Sequence, residues 1–197
     1  MRSRPIRPLT LMDVMVLVAA TAAAFAMERF FEGKVGVRAT LNLPGDWLQR
    51  LWVGMPTYLA VSWSLALIPL RWAGLRPSTS RIARQPGMVA CVATIGAMIL
   101  GIGLNAAQAA MTLSVDQPGM TYTYSPNYYW YGGTGMIGPV VTGAWVALAL
   151  GGRWSPERSW IDRLGRLLGA YWVISFPMTI LHPIVAWLVP YVPYLSR

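Results

Sequence analysis

The stretch MVACVATIGAMILGIGLNAAQAAMTL, residues 88–113, holds no charged side chain. A helix rises 1.5 Å per residue, so about 20 residues cross a hydrocarbon layer about 30 Å thick. This run is longer than that, and its apolar residues form one block instead of alternating with polar ones at helix or strand period. Comparable blocks lie on both sides, and together they predict membrane spans at about 9–31, 51–70, 88–113, 135–151 and 167–190. Composition agrees: 55% of the 197 residues are hydrophobic and 12% are charged, against roughly 25% charged in soluble domains. The expectation is an all-α, polytopic transmembrane helix bundle of about five spans, with residues 1–197 forming a single integral membrane domain.

The basic residues orient these spans. Eleven of the 16 fall before the first span, between the second and third, or between the fourth and fifth; the loop 114–134 has none. By the positive-inside rule the N-terminus is cytoplasmic and the C-terminus outside. The net charge of +9 raises nucleic acid as a partner, but the arginines are set between apolar blocks and form no stripe that could follow a phosphate backbone. The expected partners are the lipid bilayer and other membrane subunits, with no nucleic acid. Cys91 is the single cysteine and lies in an apolar block, which excludes an internal disulfide or a Cys-rich metal site.

The N-terminus admits two readings. A basic start, an apolar middle and the small-x-small sequence Ala24-Phe25-Ala26 satisfy the pattern of a cleaved signal peptide, leaving Met27 first and four spans. A retained helix is the expectation. Asp13, an acid inside this segment, invites an ion or proton role. Its spacing from Thr10 instead fits a capping box at the positive end of a helix.

In the third span Ala93, Ala97, Gly101 and Asn105 recur every fourth residue, the small-xxx-small pattern of close helix packing, and Gln108 shares the face of Asn105. A second ladder, Gly135, Pro139, Gly143, Ala147 and Gly151, runs along the fourth span. The expectation is that these two spans pack backbone to backbone through the ladders. Asn105 and Gln108 then hydrogen-bond across helices, or form a polar substrate site. His182, the only histidine, could ligate a pigment or haem, but the expected use is a hydrogen bond inside the proline-kinked last span; no cofactor and no metal are expected. Walker, dinucleotide, HExxH and nucleophile-elbow motifs are all missing, as are paired carboxylates within a span, so no enzyme is expected.

Ser155-Pro156-Glu157-Arg158 reads as a helix start, followed by an apolar stripe at Trp160, Ile161, Leu164, Leu167 and Leu168. Arg158, Asp162 and Arg166 line the other side, which predicts a short interfacial amphipathic helix facing lipid phosphates. In the outer aromatic loop 114–134, TYTYSPNYYWYGG contains five tyrosines and a tryptophan. A turn at Ser125-Pro126-Asn127-Tyr128 would pair Tyr124 with Tyr129 and Tyr122 with Tyr131 in a hairpin, with Trp130 on the reverse face. Such a surface suits an aromatic belt at the headgroups or docking on a partner protein.

The segments RPLTLMDVMVLVAATAAAFA and SWIDRLGRLLGAYW, the latter residues 159–172, resemble parts of small, uncharacterised multi-span membrane proteins of planctomycete bacteria. The resemblance implies an inner-membrane location and assigns no activity. The functional expectation is an accessory or scaffolding subunit of a larger membrane complex. The alternative is a small-molecule or ion transporter or channel-like protein using Asn105, Gln108 and the proline-broken second and fifth spans.

Overall fold

The structure, a computed structural model, describes residues 9–34, 55–73, 82–113 and 126–188, with side chains over 9–30, 55–73, 82–107 and 134–177. It contains helices α1 (Leu11–Lys34), α2 (Met55–Ala73), α3 (Pro86–Leu113), α4 (Pro126–Leu150) and α5 (Trp160–Leu188), and no strand among the described residues.

Each helix start and stop has a local cause. At the head of α1 the capping box forms in both directions: the Asp13 N–H donates to Thr10 Oγ1 at 3.3 Å and the Thr10 N–H donates to Asp13 Oδ2 at 3.0 Å. Asp13 is 1% exposed, so the bond from the Thr10 N–H also gives its buried carboxyl a donor. Thr10→Ala is expected to lower stability by about 1 kcal/mol, read as a lower unfolding midpoint in micelles. Helix α4 stops in a Schellman motif. Gly152 takes φ +61°, the Arg153 N–H donates to the Leu148 carbonyl at 3.0 Å, and the Gly152 N–H donates to the Ala149 carbonyl at 3.1 Å. That left-handed residue turns the chain back toward the bundle.

Two starts differ from expectation. Residues 126–133 are the first turns of α4, so the second strand of the expected hairpin, with Tyr129 and Tyr131, is helix instead, while its first strand lies outside the described residues; Pro126 serves at the first helical position, where its missing N–H costs nothing. Residues 155–157 are not helical, and α5 begins at Trp160 behind Ser159, whose Oγ accepts from the Asp162 N–H at 3.3 Å. Ser155 is engaged elsewhere, giving both its N–H and its hydroxyl to the Arg84 carbonyl.

The helices alternate in direction, so the starts of α1, α3 and α5 and the ends of α2 and α4 gather at one end with Arg71, Arg84, Arg153 and Arg166. The most extensive packing is α3 on α4; α1 leans mainly on α2, and α5 crosses both α3 and α4. One apolar cluster, including Ala24, Tyr58, Ala97, Ile137, Val141 and Trp172, draws on all five helices. A second, of Leu67, Leu70, Met88, Cys91 and Ile161, lies toward the arginine-rich end. Helix α1 continues through Ala24-Phe25-Ala26, and Ala24 is fully buried in the first cluster. Thr21 Oγ1 accepts from Trp63 Nε1 at 3.0 Å, joining α1 to α2.

Within the described residues, Leu11–Phe30 and Pro86–Ala107 are long and apolar enough to cross a membrane, and Thr134–Leu150 is apolar but shorter. Large apolar side chains cover the outside: Met15 and Val18 on α1, Ile99 and Leu104 on α3, Val146 on α4, Leu167 and Ile174 on α5 are all exposed. Polar groups such as Asp13, Thr57, Ser64, Gln85, Thr94 and Asp162 are inside. A surface so apolar over polar interior groups is the reverse of what water selects.

Candidate functional site at the arginine-rich end

Asp162, at the third position of α5, is 1% exposed. Its Oδ1 accepts from the Gly87 N–H at 3.0 Å, satisfying one of the orphan donors at the head of α3. Its Oδ2 accepts from the Glu157 N–H at 3.0 Å and lies 3.3 Å from Arg166 Nε. Glu157 in turn pairs with Arg71 at the end of α2, Nη2 to Oε2 at 2.6 Å. One carboxylate therefore ties the starts of two helices to the segment between α4 and α5, and through Glu157 to α2. Burial pushes the Asp162 carboxyl above the usual carboxylate range, against the pull of the two N–H donors and Arg166.

Close backbone approach makes this possible. A Cβ on Gly165 would lie 2.6 Å from the Gly87 carbonyl oxygen, and one on Gly87 would lie 2.8 Å from Asp162 Oδ1. One turn further, Trp145 of α4 covers Gly169 while its Nε1 donates to the Pro86 carbonyl at 3.0 Å and its ring meets Trp154 edge-on at 5.5 Å. Gly138 of α4 has the same role opposite Trp172 and Phe176. The amphipathic helix expected here is thus corrected: Asp162 faces inward to α3, where its carboxyl is the acceptor for the Gly87 N–H at the helix head. Leu167 of the expected apolar stripe is exposed, while Ile161 is buried.

The other anticipated residues fall as follows. Ala97 and Gly101 are buried on α3, as the ladder requires. Asn105 bonds within its own helix, Nδ2 donating to the Gly101 carbonyl at 2.7 Å, so it does not reach across to α4. An amide four residues past a carbonyl finds it without help from another chain segment. Gly143 and Ala147 are exposed, and nothing lies within 4 Å of a Cβ built at Gly143. The pairing of α3 with α4 is right and the face is wrong: α4 presents Thr134, Ile137, Gly138, Val141 and Leu148 inward and turns its small-residue ladder out. The side chains of Gln108 and His182 lie outside the described residues, as do Tyr122 and Tyr124 entirely; Tyr129, Trp130 and Tyr131 are placed on α4 by backbone alone. What sequence reasoning missed is the α3–α5 contact. Its signals were Gly165 and Gly169, a third set of small residues at spacing four, and Ser159 three residues before Asp162.

Among the described residues no three His, Cys, Asp or Glu side chains converge to hold a metal. Asp162 accepts from two backbone donors and Glu157 pairs with Arg71, so the arrangement holds the helices together. Among the described residues, fold and site together define an all-α bundle of five helices clamped by polar contacts at one end. The chain matches no protein-family model, no curated protein and no solved structure.

Proposed function

We propose that this chain is a five-span protein of a bacterial inner membrane, N-terminus in the cytoplasm, which acts as an accessory or scaffolding subunit of a larger membrane complex and has no catalytic site of its own. The observation that carries the reading is the outward ladder on α4. Gly135, Pro139, Gly143, Ala147 and Gly151 are exposed, and such a strip lets another helix approach closely in lipid, where packing replaces the hydrophobic effect as the driving force. Among the described residues nothing covers it. The inside orientation of the clamped end follows from the arginines gathered there. The transporter alternative draws less support, because Asn105 is occupied within α3 and α2, α4 and α5 continue through Pro69, Pro139 and Pro177.

Gentle native purification should bring a stoichiometric membrane partner with the chain. Gly143→Leu should leave the helix content and unfolding midpoint within about 0.5 kcal/mol of the parent, as for other exposed sites, while the partner is lost. A variant that keeps its partner, or a parent that purifies alone and moves solute in liposomes, overturns the proposal.

A further inference from the structure

The charges at the clamped end are sorted by sign. Among the described residues the acids there are Asp13 and Asp162, both buried, and Glu157, which is turned to Arg71. Arg84, Arg153, Arg158 and Arg163 are exposed, and none of the four has an ion-pair partner among the described residues. The sequence does put counter-charges within reach, since Glu157 is next to Arg158 and Asp162 is next to Arg163. The clamp withdraws both. Asp162 is committed to the Gly87 and Glu157 N–H groups, and Glu157 to Arg71. The same contacts gather the arginines: the Arg84 carbonyl accepts from Ser155, two residues past Arg153, while Arg158 and Arg163 directly follow the two clamped acids.

The apolar outside of the bundle reaches this level too. Exposed Trp72 follows Arg71, exposed Trp154 follows Arg153, and the exposed side chains of Leu150 and Leu167 stand three residues before Arg153 and four after Arg163. Indole and arginine together at the edge of an apolar surface is the composition that the headgroup layer of a bilayer favours.

We propose that this end binds the anionic phospholipid headgroups of the bilayer in which the helices sit, with Arg84, Arg153, Arg158 and Arg163 as the charged surface. The inference rests on the membrane reading above. A cation whose protein counter-ions are turned inward draws one from its surroundings, and beside exposed leucine and tryptophan those surroundings are lipid. Zwitterionic headgroups carry their own ammonium close to the phosphate, so the net charge of anionic lipid is what the arginines select. The apolar rim argues for lipid over a soluble acidic protein, which would have to cover leucine and indole as well as pair the charges. The surface shares no residue with the α4 ladder, so a lost partner and a lost lipid preference are separate results.

Electron spin resonance of trace spin-labelled phosphatidylglycerol and phosphatidylcholine, in phosphatidylcholine vesicles reconstituted with the full chain, measures which lipid the protein surface retains. Phosphatidylglycerol should be retained about fivefold more strongly, the selectivity of one arginine at the lipid surface. Salt at about 1 M should remove the difference, because exposed charges are then screened beyond about 3 Å. The double variants Arg84→Gln/Arg153→Gln and Arg158→Gln/Arg163→Gln should each lower the ratio at least about twofold with unchanged circular dichroism. Arg29→Gln, at an exposed arginine toward the other end of α1, should leave it unchanged. Equal retention of the two lipids by the reconstituted parent overturns this inference alone. So does a preference that both double variants keep, or that Arg29→Gln lowers as much as they do. A chain that does not enter vesicles overturns the membrane reading and this inference with it.

Discussion

Asp162→Ala is expected to destabilise the bundle by about 3–5 kcal/mol, the cost of removing one side of a buried, charge-assisted network. Gly87 and Glu157 would each lose the acceptor for a backbone N–H, and Arg166 its counter-charge. Asp162→Asn should cost less, because the amide oxygen can still serve one of the two N–H groups while its NH2 opposes the other. Reversible unfolding in mixed micelles measures both. The parent should also show a pH dependence that the Asn variant lacks. With the folded carboxyl held above its unfolded range, the native state binds the proton more tightly. This residue's contribution is therefore greatest below the unfolded pKa and declines as pH rises through the raised folded value. A parent and an Asn variant with the same slope between acid and neutral pH would refute this.

Gly165→Leu is expected to be at least as damaging. The first atom of any side chain there meets the Gly87 backbone, 2.6 Å from its carbonyl oxygen, and backbone cannot rotate away as a flexible side chain would. The helices α3 and α5 must separate, which breaks the Asp162 bond to Gly87 as well; a loss of about 3 kcal/mol or more is the expectation. The contrast with Gly143→Leu is the informative measurement, since both are glycines in small-xxx-small patterns in apolar helices. If the two variants unfold at the same midpoint, the assignment of inner and outer ladders is wrong.

That contrast also marks what the sequence can and cannot say. Periodic small residues reveal that a helix can be approached closely, but not by which neighbour, because Gly143 and Gly165 look alike until the third dimension assigns them. Features closed within one turn were legible: Thr10 and Asp13 lie three residues apart, and their capping box needs no distant partner. Asp162 was misread because Arg158, Arg163 and Arg166 stand close to it in sequence, while the group that decides its position, the Gly87 N–H, is 75 residues away. Ser155 failed as a cap for a similar reason, its hydroxyl being claimed by the Arg84 carbonyl. The segment at Pro126 was ambiguous in a different way. Proline after serine opens a turn or a helix equally well, and alternation over so few residues does not separate the two.

The clamp is assembled from chain written early and chain written late. Arg71, Gly87 and Trp145 all precede Ser159, yet what holds them, Glu157, Asp162 and the glycines at 165 and 169, comes at or after the final turn of the backbone into α5. During synthesis α1 to α4 emerge before α5 and must wait with these contacts unmade. Helix α5 therefore acts as the keystone, and a nascent chain stalled before it offers quality-control proteases an open bundle.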